Sequence, residues 1–327
     1  MIKIEGKGNI SAEIVADSIS DVVDDKRIIT YVLEYPRFIH SEFMTHRSFS
    51  RNAASSRAIP VKKVIELVEN TPAMPIHWGM NQAGMQAKEE LTGLCLETTQ
   101  FEWVSASKNA MWSATRLNTL GAHKQIVNRI LEPFQMIRVV CTATEYDNFF
   151  YLRYHADAQP EIAELARVMW EAREQSIPEE LQPGEWHVPF VNTSRDAAGK
   201  RYYWNFISDT EKVEISLEDA LKVSASCCAQ VSYRKTDTSL EKALDIYNKL
   251  VTMKPVHASP FEHCATPMEN IFGEDYMGVE IRPQKGVTHN DIKGNGWSAN
   301  FCGFIQYRQL IPDNVCNNFV KENNNGN

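Results

Sequence analysis

The sequence predicts an α+β fold, a curved β-sheet flanked by long helices. Two observations carry this. Short β-branched runs stand at 2–6 (IKIEG), 27–35 (RIITYVLEY) and 136–144 (MIRVVCTAT). Stretches with few helix breakers stand at 82–120 and 160–174. Strand runs mixed irregularly with helical ones point to α+β rather than to a regular βαβ array.

Taken in order, IKIEG and RIITYVLEY read as strands separated by the acidic turn 20–25. After Pro36, FIHSEFMTHRSFS has apolar residues at helical spacing and gives way to the small polar stretch RNAASSRAIP. Pro60 opens a helix over PVKKVIELVEN. Gln82 to Leu120 reads as one or two amphipathic helices, and Pro160 opens another. The segment 176–202 is rich in Pro, Gly and Trp and reads as an irregular loop, a surface insertion or an active-site cover. Helices are expected at 217–226 and 239–253, a Gly/Asn-rich loop at 284–300 and a flexible tail at 313–327. With no Pro/Ser-rich linker, residues 1–312 read as one intertwined domain.

The 327 residues carry 34 Lys+Arg against 42 Asp+Glu, a net charge of −8, with 43 % hydrophobic residues. Such a chain can bury a large core, and its acidity argues against coating duplex nucleic acid. No run of about 18 apolar residues occurs, which argues against a membrane span. The N-terminus lacks the basic start and apolar stretch of a signal peptide, so the expected place is the cytoplasm. Seven cysteines, an odd number without a CxxC pair, read as reduced thiols, and no Cys/His spacing suggests a metal site.

The densest chemical signal is 45–57, Thr-His-Arg-Ser-Phe-Ser-Arg-Asn-Ala-Ala-Ser-Ser-Arg, with three arginines, one histidine and four serines. Cationic forks, hydroxyls and backbone amides in one stretch suit phosphate recognition. A solvated polar turn is the alternative from composition alone.

His46-Arg47, Ser50, Asn52, Ser55 and Arg57 resemble the Arg-His-Arg signature of the flavin-dependent thymidylate synthases, with Thr45 in place of its first arginine and Ala53 in place of its glutamate. Further blocks carry the resemblance. Asn148-Phe149-Phe150-Tyr151-Leu152-Arg153 is similar to the family's Asn-Phe-x-x-Leu-Arg block. Asn128-Arg129-Ile130-Leu131 with Pro133 is similar to its Ala-Arg-x-x-Leu-Pro helix end. Ala229–Tyr233 and the run His257-Ala258-Ser259-Pro260-Phe261-Glu262-His263 are similar to its Val-Ser and Pro-Phe-Glu-His elements. In the family the last two precede the Arg-His-Arg motif, whereas here they follow it. The chain therefore resembles a circular permutation, with segment 223–312 expected to pack against 30–60. Gln306-Tyr307-Arg308 reads as a degenerate second copy of the motif. Residues 61–122, 175–222 and 268–300 carry no recognised block.

The resemblance implies a role for each matching residue. Ser55, Arg57 and Arg129 would hold a nucleotide 5′-phosphate through bidentate forks and a hydroxyl or amide. Arg153 would contact the pyrimidine and stabilise charge on its carbonyl oxygens as C5 becomes nucleophilic. A helix-end salt bridge to Asp147 or Glu161 is its alternative. His46, Arg47, Ser48 and Asn148 would contact the flavin, with Ser232, Ser259 and Glu262 as further contacts and His257 on the folate side. FAD, methylenetetrahydrofolate as carbon donor and NADPH as reductant are the implied partners, in a homotetramer or homodimer with shared sites.

No cysteine has the basic context that would lower its pKa, and all seven read as core, Cys264 beside His263 being the mildest candidate nucleophile. Three functions follow: C5-methylation of dUMP; C5 modification of another pyrimidine nucleotide such as dCMP or UMP; or a catalytically silent nucleotide-binding scaffold.

Overall fold

The computed structural model describes residues 2–22, 26–206, 211–231, 237–269 and 284–319. Its centre is a six-stranded sheet. β1 (Ile2–Glu5) and β2 (Ser11–Ser20) pair antiparallel, and β3 (Arg27–Pro36) runs antiparallel along β2. The chain then forms α1 (His40–Phe43), β4 (Ser50–Ala53), α2 (Val61–Asn70), α3 (Gly93–Thr119) and α4 (Lys124–Val127). A 3-10 segment, Asn128–Phe134, leads into β5 (Met136–Ala143), which inserts between β3 and β4. α5 (Asp147–Arg153), α6 (Pro160–Gln175) and β6 (Glu179–Leu181) follow, β6 lying parallel to the end of β2.

The composition of β3 explains what must surround it. Nearly every residue from Ile28 to Tyr35 is buried, so the strand needs cover on both faces. Ile29, Tyr31, Leu33 and Tyr35 point to α6, where Ile162, Leu165, Ala166 and Met169 meet them. The alternate residues face the other way and are covered by the second half of the chain. Ile28 packs with Leu181, Ala265, Phe301 and Phe304, and Val32 with Val140, Cys228 and Val231.

That second half contains a three-stranded antiparallel sheet of β7 (Asn192–Arg195), β8 (Arg201–Phe206) and β9 (Lys212–Ile215). The helices α7 (Leu217–Ala229) and α8 (Leu240–Thr252) come next, each N-capped by a serine, Ser216 and Ser239. A 3-10 turn, Ser259–His263, leads to β10 (Ala265–Pro267). The short strands β11 (His289–Asn290), β12 (Gly296–Ser298) and β13 (Phe301–Cys302) form a small sheet, and β14 (Phe304–Gln306) pairs with β10.

Several expectations need correction. α3 does not flank the sheet: Trp103, Ala110, Ala114 and Leu117 close instead on α2 and on Leu131 and Phe134. It also begins only at Gly93, because Gly84 and Gly93 take positive φ values of 101° and 55° and break the expected helix from Gln82. After Pro36 the helix ends at Phe43, where the Thr45 hydroxyl turns back onto the Glu42 carbonyl. Segment 176–202 is not an irregular loop, since it holds β6, β7 and the start of β8 and buries Trp186, His187 and Val188. Segment 284–300 forms β11 and β12 around an Asp291 turn. The Asp291 carboxylate accepts from the Lys293 and Asn295 amides, which its composition disguised as loop. The acidic turn at 20–25 and the tail lie partly outside the described residues.

Candidate active site

α5 forms because Asp147 stabilises its first turn while Phe149 and Phe150 anchor it in the core. Its last turn presents Arg153. The Arg153 Nε donates to His46 Nε2 at 3.0 Å, and its Nη2 reaches Thr45 Oγ1 at 3.5 Å. His46 is buried edge-on against Phe149, ring centroids 4.8 Å apart, and stacks on Phe49. Burial, and then the neighbouring Arg153 and Arg51 charges, push the His46 pKa down to about 4. The ring is therefore neutral, with Nε2 as acceptor. Thr45, in place of the first arginine of the resembled motif, leaves a hydroxyl rather than a second cation beside Arg153. The alternative reading of Arg153 as a salt bridge is not met. Asp147 pairs with Arg173, and Glu161 accepts from the Ile76 amide and from Gln159. Met44, Tyr151, Leu152 and Tyr154 are exposed around Arg153, and burial raises the pKa of the partly buried Glu42 carboxylate while the nearby Arg153 charge draws it down.

A second cluster forms where the loop after β4 meets the 3-10 segment before β5. One oxygen, Glu132 Oε1, receives the Ser56 hydroxyl at 2.8 Å, Arg129 Nη1 at 2.9 Å and Arg37 Nη2 at 3.0 Å. Arg129 is half exposed, whereas Arg37 and Ser56 are largely buried. A small cavity lined by Arg37, Ser56 and Gln135 adjoins it, and the Gln135 amide nitrogen is buried without a partner. Arg57 and Arg47 are exposed and make no ion pair among the described residues. Sequence reasoning found Arg129 but missed Arg37, which belongs to no recognised block, and Glu132, which stands within one at a position where the resembled motif has leucine.

The C-terminal residues dock on the same sheet. Asn52 Nδ2 donates to the Cys228 carbonyl at 3.2 Å, and Asn300 Nδ2 to the Ser48 carbonyl at 2.8 Å. Gln306 Nε2 reaches Asn300 Oδ1 at 3.0 Å and Ser50 Oγ at 3.3 Å. Below them runs a buried polar chain. Ser18 Oγ meets His187 Nδ1, His187 Nε2 meets Thr30 Oγ1, Thr30 meets Thr142, and Thr142 Oγ1 meets His263 Nδ1, with distances of 2.7–2.9 Å. Glu262 is paired with Arg308 of the Gln-Tyr-Arg segment. His257, Ser259 and Asn148 are exposed, and Ser48 Oγ lies 3.4 Å from the Glu145 carbonyl. Ser232 lies outside the described residues. Residues 228–263 thus meet the sheet at β3, β4 and β5, whereas His46 has Phe49, Phe149 and Arg153 as neighbours.

Cys264 is wholly buried, and burial pushes its thiol up to about 12, so it is no nucleophile. Cys95 and Cys316 are exposed rather than core. Among the described residues no group of three or more His, Cys, Asp or Glu is placed to hold a metal ion, and no helix is long and apolar enough to cross a membrane.

The fold is α+β, and its candidate site gathers arginine, histidine and hydroxyl groups around Arg153 and Glu132. Residues 22–179 match the family described as "Thymidylate synthase complementing protein", the flavin-dependent thymidylate synthase family, so the chain's likeness to that family rests on β3 to β6 and the motifs they carry. No curated protein matches the chain. Among solved structures, a UMP/dUMP methylase PolB from Streptomyces cacaoi bound with 5-Br dUMP aligns with a TM-score of 0.41 and 17 % identity, over 53 % of this chain and 93 % of that one.

Proposed function

We propose that this protein methylates C5 of a pyrimidine deoxynucleotide, dUMP to dTMP, in a flavin-dependent reaction with methylenetetrahydrofolate as carbon donor and NADPH as reductant. The observation that carries this reading is Arg153. Its guanidinium is hydrogen-bonded by a neutral histidine and a threonine, with the Glu42 carboxylate near it but not paired to it. A preorganised cation beside exposed aromatic and aliphatic side chains suits the negative charge that develops on a pyrimidine carbonyl oxygen. The family match over 22–179 supports the same assignment. Arg57, Arg129 and Ser55 are the phosphate ligands in this reading.

The residues present fit a flavin dinucleotide. Arg47 and Asn148 are exposed, and Arg47 has no partner carboxylate among the described residues, which matches the donors a diphosphate and an isoalloxazine edge require. When bound, the flavin supplies the hydride, and the chain orients the base and excludes water. A second reading, in which another pyrimidine nucleotide such as dCMP or UMP is the substrate, is favoured by Thr45, because it changes the polar rim beside Arg153.

Two measurements test the proposal. The purified protein should take up FAD and become yellow; a protein that binds no FAD overturns both readings. Incubation with dUMP, dCMP and UMP, each with folate donor and reductant, should give a mass increase on dUMP. An increase on another nucleotide instead selects the second reading.

A further inference from the structure

We infer that the outer face of α3 is a seam between two copies of this chain, packed antiparallel. This inference does not depend on the nucleotide reading. α3 has 27 residues, about 40 Å of helix. Its inner face, at Trp103, Ser107, Ala110, Ala114 and Leu117, follows the alternating three- and four-residue spacing of a packed helix and closes on α2. Large apolar residues also stand on the opposite side. Leu94, Phe101 and Trp112 are 78 %, 66 % and 61 % exposed, Trp112 carrying the Arg116 guanidinium of its own chain over one ring face at 4.7 Å. They are separated by seven and eleven residues, two and three helical turns, and so form one line. A helix that is apolar on two opposite faces, with only one of them covered, needs a second partner.

The charges identify that partner as a second copy. Glu97 and Glu102 lie in the first half of α3, and Lys108 and Arg116 in the second. All four are exposed. Two antiparallel copies set each acidic half against a basic half and oppose the helix dipoles, whereas parallel copies set like charges together. Phe101 and Trp112 stand five and six residues either side of Ala106, the midpoint of the helix. Antiparallel packing about that midpoint therefore brings Phe101 of one copy against Trp112 of the other. The four rings, at about 150–250 Å² each, approach the roughly 1,000 Å² that a specific interface buries. A twofold axis makes the patch self-complementary, as a closed dimer requires.

Light scattering on the full chain at micromolar concentration should show self-association. Phe101→Glu with Trp112→Glu should weaken it by at least about thirty-fold, with the folded monomer kept, as an unchanged far-ultraviolet circular dichroism spectrum at room temperature shows. A monomeric wild-type chain, or a double variant that still associates, overturns the inference. Charge variants give an independent check. Glu97→Lys/Glu102→Lys and Lys108→Glu/Arg116→Glu should each associate poorly alone and recover on mixing; no recovery counts against the seam. Orientation is read by cross-linking in a Cys95→Ser/Cys316→Ser background. Leu94→Cys should link to Thr119→Cys on the other copy, and a Leu94→Cys link to itself instead overturns the antiparallel arrangement.

Discussion

Arg153 donates its Nε proton to His46 Nε2 at 3.0 Å, so the cation is held by a ring that burial and the arginine itself keep neutral. The partner orients the guanidinium without cancelling its charge. Arg173, on the neighbouring α6, is instead tied to Asp147 at 2.8 Å. The two arginines therefore differ in what they can offer a ligand.

Truncating Arg153→Ala should lower turnover by about two to three orders of magnitude, the usual loss when one preorganised charge-stabilising donor is removed. FAD uptake should stay close to wild type. Arg57→Ala should mainly raise KM for the nucleotide, since a phosphate is bound alike in ground and transition states. Steady-state kinetics on dUMP separate the two. Intact turnover in Arg153→Ala removes the base contact from the scheme.

Glu132 gathers Arg37, Arg129 and Ser56 on one oxygen, so a carboxylate of the chain already occupies donors that a phosphate needs. Glu132→Gln keeps a hydrogen-bond acceptor and removes the charge. Calorimetric titration should show dUMP binding several-fold more tightly, about 1 kcal/mol, with deoxyuridine unaffected. Weaker dUMP binding would instead mean that Glu132 positions Arg129 for the phosphate.

Acid should destabilise the fold in a defined window. Burial pushes His187 and His263 down to about 3 and His46 down to about 4. An unfolded histidine titrates near pH 6.5, about its ordinary value. As pH falls below that value the unfolded chain takes up protons that the folded chain refuses. The stabilisation is complete above about 6.5 and is lost progressively toward 4 and below. Melting temperatures measured from pH 8 to 4.5 should be level and then fall. A rise on acidification through this range contradicts the buried neutral chain through Thr30 and Thr142.

A fragment ending at residue 179 should not fold into a soluble monomer. It keeps α6 over one face of the sheet but exposes Ile28, Val32 and Val140, whose cover comes from Leu181, Cys228, Val231, Phe301 and Phe304. Expression with residues 180–319 supplied as a second chain should rescue solubility. A folded, monodisperse 1–179 fragment refutes the dependence.

The sequence by itself determined the local elements. Pro60 before α2, Pro160 at the start of α6 and the β-branched run of β3 are signals a few residues long, and short-range sterics are enough to read them. His46, Arg57, Arg129 and Arg153 were legible for a different reason, the resemblance of their surrounding blocks to one family. Tertiary structure decided which groups meet. Nothing near Glu132 in sequence indicates Arg37, 95 positions earlier (132 − 37), and nothing near Thr30 indicates His187. The strands of 176–202 and 284–300 were hidden because their residues favour turns, and only packing against Tyr203 or an Asp291 turn makes them pair. The direction of α3 was equally hidden. A helix that is apolar on two sides has no single buried face for periodicity to reveal, and contact with α2 and with Leu131 and Phe134 selected which side turned inward.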